Sequence, residues 1–408
     1  LALLWVAFFL QQGSRQIFSA TLPAIQHAFD FTRPQAGLVA TVFTFVYGIC
    51  VPFAGLASDI FRRKWMVVVG VAVFSLGIFG AGFAQGLAIL LAGYGIVNAI
   101  GQTFYYPAST SLVSQLHSQT RATALGILQL GLYAGIILCS WTSGYFSDLG
   151  PDGWKMPFFV FGALGVVWAA VMALGLKDTP APPPATGASA KATPLEALRV
   201  ILSNPVALLI ALAFGAHVYV DVGYKTWMPD FLLGAFPTLG LTKASAALNA
   251  VLWHYLGAFL GVMVGSRCAD KLVIHFPGVR LTICLWGMLV AAPFLFVGAL
   301  VPGWLENSSG LAICLAGTGL FGFFRGFFDS NLFASLFDTV PQRYHASATG
   351  LILCAGFVVG SVSGTLLGLF SEPRIALASL APVYALGGVV LFGARRVYLP
   401  RLKEERSC

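Results

Sequence analysis

The chain has 408 residues, of which 58% are hydrophobic and only 9% are charged, and its formal net charge is +8. Soluble globular proteins contain about 25% charged residues, so this composition excludes a soluble domain and indicates an integral membrane protein. The apolar runs are long and continuous, which favours helices over the short alternating segments of a β-barrel.

Twelve apolar runs are long enough to cross a bilayer as helices, which takes about 20 residues each. We predict them at 2–28, 34–57, 65–86, 88–116, 121–146, 156–176, 205–235, 244–268, 279–302, 310–338, 345–370 and 376–397. The stretch from Asp178 to Pro194 is rich in proline and alanine and predicts a linker, followed by a short amphipathic helix at 195–202. The sequence thus predicts an all-α integral membrane fold of two six-helix bundles, 1–177 and 204–408, joined by a linker over 178–203.

A charged turn, GLASDIFRRK, separates the second and third predicted spans. Its glycine, aspartate and basic pair resemble the loop between helices 2 and 3 of the major facilitator superfamily of transporters. The resemblance extends to the twelve spans and the central linker. It implies alternating access, in which two bundles rock about a central cavity, and a conformational gating role for Gly55, Asp59, Arg63 and Lys64.

Basic residues are distributed unequally between the predicted loops. Of the 23 Lys and Arg residues, Arg15, Lys225 and Arg325 fall inside spans, and Arg33, Lys155, Lys243 and Arg374 fall on the side opposite the charged turn. The others lie on the side of the charged turn, which the positive-inside rule assigns to the cytoplasm. We therefore expect both termini and the linker in the cytoplasm, and no nucleic-acid partner. The short loops and compact chain favour a bacterial inner membrane as the location.

Ionisable side chains within the bilayer are rare and usually face a cavity or a partner. In the first span Gln11 and Arg15 are four residues apart and share a helix face. Arginine stays charged and presents a planar fork that matches carboxylate or phosphate. We expect Arg15 to anchor a substrate anion; the alternative is a structural arginine bonded to helix carbonyls.

The tenth span carries Arg325 and Asp329 one helical turn apart, with Asn331 close by. Either the pair simply neutralises itself, or a proton arriving at Asp329 frees Arg325 to hold an anion. In the seventh span His217 and Asp221 share one helix face. Asp329, Asp221 and His217 are therefore the candidates for proton coupling.

Other polar and aromatic side chains complete the predicted substrate-binding set. With Gln11, Arg15, Arg325 and Asn331, its members are Tyr47, Gln102, Tyr106, Gln129 and Tyr133. We expect His254, in the eighth span, to be structural. The sequence contains no phosphate-binding loop and no His/Cys spacing typical of metal sites, so we expect no enzymatic activity, cofactor or metal.

Together these features predict a secondary active transporter that moves a small organic anion, such as a carboxylate, sugar acid or phosphorylated solute, by proton-coupled symport. The two intramembrane arginines make the organic-anion branches of the superfamily, the anion:cation symporters and organophosphate:phosphate antiporters, the nearest resemblance. One alternative is an exporter of amphipathic drugs or lipids, favoured by the 34 phenylalanines. Another is a non-transporting membrane sensor. Apart from the solute, the expected partners are protons and the lipid bilayer, and we expect a monomer.

Overall fold

A computed structural model describes residues 1–117, 120–177, 194–276, 278–341 and 344–407. Within these ranges it does not describe the side chains at 56, 58–60, 114, 121, 122, 194, 195, 197, 346 and 401–407. Residues 178–193 of the predicted linker lie outside the described residues.

Helices make up most of the described chain, and the described ranges contain no strand. The helices of the first half are α1 Ala2–Phe29, α2 Arg33–Ile60, α3 Arg63–Ala81, α4 with consecutive segments Leu87–Leu90, Leu91–Asn98 and Ala99–Leu116, α5 Arg121–Asp148 and α6 Lys155–Gly175. Those of the second half are α7 Pro194–Leu202, α8 Pro205–Ala235, α9 Lys243–Leu272, α10 Val279–Leu300, α11 Ser308–Phe337, α12 with segments His345–Ser361 and Ser363–Gly368, and α13 with segments Pro373–Ala378 and Leu380–Ser407.

Eleven of the described helices are long and apolar enough to cross a membrane. The twelfth long helix is α1, whose hydropathy is lowered by its polar run QQGSRQ. The predicted all-α integral membrane fold is thereby confirmed, and the short helix predicted after the linker is present as α7. The third helix ends at Ala81, earlier than predicted, because Gly82 forms its cap and the sequence GFAQG follows.

The chain folds into two compact units. The first consists of Leu1–Pro183, Lys225–Val251 and Ser361–Ser371, and the second of Pro184–Tyr224, Leu252–Gly360 and Glu372–Cys408. Within the first unit, Arg33 Nη1 lies 3.1 Å from Asp230 Oδ2, and the Asp148 carboxylate accepts the backbone N–H groups of Lys243 and Ala244, each at 3.0 Å. These bonds hold parts of α8 and α9 against helices of the first half of the sequence. The bundles at 1–177 and 204–408 remain a prediction.

Glycines bring α9 and α11 into backbone contact within the second unit. Gly257 and Gly261 lie one turn apart on α9, and a Cβ at either would overlap a backbone carbonyl oxygen of α11. Gly322 and Gly326 of α11 meet α9 in the same way. Small residues permit this close approach between membrane helices. The crossing lies beside Arg325, and so determines which α9 side chains can contact it.

Gly261→Ala is expected to destabilise the protein by about 1–3 kcal/mol, because the added methyl group would force the two backbones apart. Gly393→Ala is the matched control: Gly393 is also helical, but a Cβ there meets no atom within 4 Å. The control should unfold at the same temperature or slightly higher, since alanine favours helix. Thermal unfolding in detergent measures both variants, and equal unfolding temperatures for them would contradict the packing described.

Candidate functional site

The first candidate site surrounds Arg15 on α1. One turn before it, the buried Gln11 donates from Nε2 to the backbone carbonyl of Gln102 on α4 at 2.8 Å. Arg15 donates from Nε to the side-chain Oε1 of Gln102 at 2.5 Å. Gln11 and Arg15 therefore lie on one face, as their spacing predicts, and both bond to the same residue of α4.

Hydrogen bonds within α4 and to α1 orient the Gln102 amide. Its Nε2 donates to Asn98 Oδ1 at 2.8 Å and to Ser14 Oγ at 3.0 Å, which leaves Oε1 facing Arg15. Asn98 ends the π-helical segment Leu91–Asn98. Such segments are rare and are frequent at functional sites, where they change the direction of side chains. The sequence did not reveal Asn98 or Ser14 as members of this site.

The Arg15 guanidinium is stabilised by a hydrogen bond to an amide and by contacts with aromatic rings. Its guanidinium carbon lies 4.4 Å from the ring centroid of Tyr47 and 5.7 Å from that of Phe43, a cation–π arrangement. Among the residues described, no carboxylate lies within ion-pair distance of Arg15, and its Nη2 is buried without a hydrogen-bond partner. Arg15 is therefore a cation with a donor still available for an anionic ligand.

The second candidate site surrounds Arg325 on α11. Its Nη1 lies 2.6 Å from Asp221 Oδ1 of α8, and its Nε lies 3.4 Å from Asp329 Oδ2 one turn along α11. The arginine side chain is 10% exposed, and the two carboxylates are 19% and 30% exposed. The predicted pair with Asp329 is present, and Asp221 is a second partner. Two carboxylates against one guanidinium carry one excess negative charge, which one bound proton would neutralise.

His217 lies between these charges. Its Nε2 is 3.2 Å from Asp329 Oδ1 and 3.5 Å from Arg325 Nη2, and its Nδ1 is 3.3 Å from the hydroxyl of Tyr384. A carboxylate accepts hydrogen bonds, whereas a guanidinium only donates them. Nε2 therefore carries a proton when it bonds to Asp329 and none when it bonds to Arg325. The position of the ring proton, set by the tautomer or by protonation, decides which partner His217 has.

His254, which we expected to be structural, also contacts this site. It is completely buried, and its Nε2 lies 2.6 Å from Arg325 Nη1. A single histidine in an apolar helix gives no sequence pattern, and this contact depends on the close crossing of α9 and α11. We call Arg325, Asp221, Asp329, His217 and His254 the Arg325 cluster.

The Arg15 site and the Arg325 cluster both lie within the part of the chain that a known family model covers. A sequence model of the Major Facilitator Superfamily matches residues 4–352, which is more than half of the chain. The chain belongs to the Major Facilitator Superfamily. This confirms the resemblance seen in the charged turn.

Individual relatives support this membership. The chain is 29% identical over 306 residues to Protein spinster homolog 1 of Homo sapiens, an alignment covering 71% of this chain and 57% of that protein. The chain therefore spans little more than half the length of that relative. It is 25% identical over 409 residues to the Hexuronate transporter of Bacillus subtilis (strain 168), covering 95% of this chain and 93% of the relative.

A solved structure shows the same fold. It is a bacterial homolog to the human lysosomal transporter Spinster, in an inward-facing and unoccupied conformation. The TM-score is 0.81 at 17% sequence identity, over 98% of this chain and 97% of that chain. At this identity the likeness shows a common superfamily fold.

Three predicted binding residues of this superfamily member lie outside the hydrogen bonds described at Arg15. Tyr106 is exposed, with its ring centroid 5.7 Å from that of Phe8. On α5, Gln129 is exposed and Tyr133 is half-buried. Their role in binding remains a prediction.

Asn331 is buried but does not join the Arg325 cluster through any hydrogen bond described. Its Nδ2 donates to the carbonyl of Gly265 on α9 at 3.3 Å and to that of Phe327 on α11 at 3.0 Å. These bonds favour a structural role, in which the Asn331 amide helps to join α9 and α11.

The charged turn lies where α2 meets α3. Gly55 is half-buried near the end of α2, Arg63 begins α3 and is buried, and Lys64 Nζ lies 5.6 Å from the ring centroid of Trp65. The side chain of Asp59 is outside the described residues. The gating role that the superfamily implies for this turn remains a prediction.

Proposed function

We propose that the protein is a secondary active transporter of small organic anions, in which Arg15 binds the anionic group of the solute and the Arg325 cluster binds a proton. The observation that carries the proposal is the state of Arg15. It is a cation within a membrane helix that lies outside ion-pair distance of every described carboxylate and has a buried Nη2 still able to donate. Such a group is costly in a bilayer unless it has a functional partner.

The chemistry of the site fits a carboxylate or a phosphate group. The Gln102 amide occupies Nε, and the buried Nη2 of Arg15 remains to donate to a ligand. Two parallel N–H donors match the two oxygens of a carboxylate. The name of the Bacillus relative refers to hexuronate, a carboxylated sugar, which is consistent with this class of solute.

Solute-induced stabilisation of the purified protein tests the proposal. A hexuronate, a neutral hexose of the same size and a hexose phosphate form a matched panel that varies the anionic group alone. We expect the hexuronate to raise the unfolding temperature, because a ligand that binds only the folded state stabilises it. Equal shifts with the neutral hexose, or shifts with hydrophobic cations and lipids alone, would contradict the proposal and favour the amphipathic exporter.

Proton coupling would use the excess negative charge of the Arg325 cluster. With both carboxylates ionised, Arg325 is held by Asp221 and Asp329. A proton shared by Asp329 and His217 would neutralise the cluster and weaken the hold of Asp329 on Arg325. The side-chain exposure of Asp329, 30%, gives a proton access to it.

Asp329→Asn is expected to abolish anion uptake driven by an inward proton gradient in proteoliposomes, because asparagine keeps the shape but does not titrate. Exchange of labelled anion at equal pH should persist, since it needs no net proton movement. Asp152→Asn removes a carboxylate that is 81% exposed and serves as the matched control. Gradient-driven uptake at the wild-type rate in Asp329→Asn would contradict the assignment.

The proposed orientation is based on the distribution of basic residues, and the proposed membrane on the short loops and compact chain. We propose a bacterial inner membrane, with the α2–α3 turn and both termini on the cytoplasmic side, because loops rich in Lys and Arg remain there. Cysteine accessibility at the turn, measured in intact cells and inverted vesicles, distinguishes the two orientations.

A further inference from the structure

His254 contacts Arg325 from a third helix, α9. The distance from His254 Nε2 to Arg325 Nη1 is 2.6 Å, and His254 is completely buried. A guanidinium has five N–H donors, no acceptor, and stays protonated in proteins. Nε2 must therefore accept the hydrogen bond, which requires a neutral imidazole with its proton on Nδ1.

The surroundings hold the His254 ring in this position. Its centroid lies 4.7 Å from that of Tyr224, 5.3 Å from that of Phe321 and 5.1 Å from that of Tyr255. The His254 backbone also packs directly against Gly322 of α11, since a Cβ at Gly322 would overlap the His254 carbonyl oxygen. Ring and backbone together direct Nε2 at Arg325.

We propose that His254 is a positioning residue for Arg325. The Arg325 nitrogen that donates to it, Nη1, is also 2.6 Å from Asp221 Oδ1. A neutral His254 holds the guanidinium against Asp221, whereas a protonated His254 places a second cation beside it and releases it. The inference rests on the proposed proton coupling, to which it adds a second proton-sensitive group on another helix.

The titratable and charged groups around this contact come from four helices. They are His217, Asp221 and Tyr224 from α8, Tyr255 from α9, Arg325 and Asp329 from α11, and Tyr384 from α13. Among these groups, Arg325 is the permanent cation that bonds to His254.

The test compares the pH dependence of stability in three purified full-length proteins: wild type and two variants. His254→Gln keeps an acceptor but does not titrate. Wild type should lose stability as the pH falls from about 8 to about 5.5, across the range in which an ordinary histidine gains its proton. His254→Gln should lose less than half as much stability over the same pH range. His275→Gln, at an exposed histidine, should keep the wild-type profile.

His254→Phe keeps an aromatic ring and removes the acceptor. It should lower anion uptake driven by an inward proton gradient by about ten-fold, the expected effect of losing one hydrogen bond to a charged group. A wild-type acid profile in His254→Gln would overturn the assignment, and so would gradient-driven uptake at the wild-type rate by His254→Phe. If the phenylalanine variant does not fold, the glutamine comparison decides alone. Failure of the proposed function would appear separately, as a wild-type protein that no anion stabilises at pH 8.

Discussion

Arg15→Gln should weaken the binding of organic anions by about 10- to 150-fold, because a hydrogen bond to a charged group contributes about 1.5–3 kcal/mol. The loss should appear as a higher anion concentration needed for the same thermal stabilisation. Without ligand, the unfolding temperature should change little, since the Gln102 amide keeps its bonds to Ser14 and Asn98. A loss of anion response can then be assigned to binding rather than to folding.

Two controls make the Arg15 result specific. Arg15→Lys keeps the positive charge but loses the planar fork, so its affinity should lie between those of wild type and Arg15→Gln. Arg374→Gln removes an exposed arginine paired with Glu372, and should leave anion binding unchanged. Wild-type affinity in Arg15→Gln would show that the anion is bound elsewhere.

Arg325→Gln should destabilise the protein far more than Arg15→Gln does. The substitution removes the cation that pairs with both Asp221 and Asp329, so the two carboxylates are left uncompensated. Breaking a buried ion pair by removing one partner costs about 3–5 kcal/mol. Adding Asp221→Asn should restore part of that stability, because it removes one of the uncompensated carboxylates.

The double-mutant cycle over Arg325 and Asp221 gives their interaction directly. We expect a coupling of about 0.5–3 kcal/mol between the two substitutions, as for residues in one ion-pair network. The same cycle on Glu372 and Arg374, an exposed pair, should show no measurable coupling. Additive effects at Arg325 and Asp221 would contradict the ion pair.

Most helix positions could be predicted from the sequence because charged residues, glycines and prolines bound the apolar runs. The π-helical segment Leu91–Asn98 could not, since its sequence is as apolar as its α-helical neighbours and its geometry depends on packing. That segment ends at Asn98, which orients Gln102. The Arg15 site was therefore located by its charge, while the residues that orient it emerged from the structure.

The Arg325 cluster shows the same division. Arg325 and Asp329 are neighbours on one helix, so their spacing predicts their contact. Asp221 and His254 lie on two other helices, and their contacts with Arg325 depend on how α8 and α9 pack against α11. For Asn331, the sequence predicted substrate binding, but the structure shows its amide bonded to backbone carbonyls of α9 and α11.

Anion exchange in proteoliposomes is the most direct test of the central claim, which is that this protein transports organic anions by binding their anionic group at Arg15. Wild type and Arg15→Gln would be reconstituted in equal amounts, loaded with the carboxylate that stabilises wild type best, and supplied with the same compound in labelled form outside. We expect saturable accumulation of label by wild type, accumulation by Arg15→Gln that is lower by about ten-fold or more at the same anion concentration, and none of the neutral hexose by either. Equal accumulation of the carboxylate by both proteins would contradict the claim.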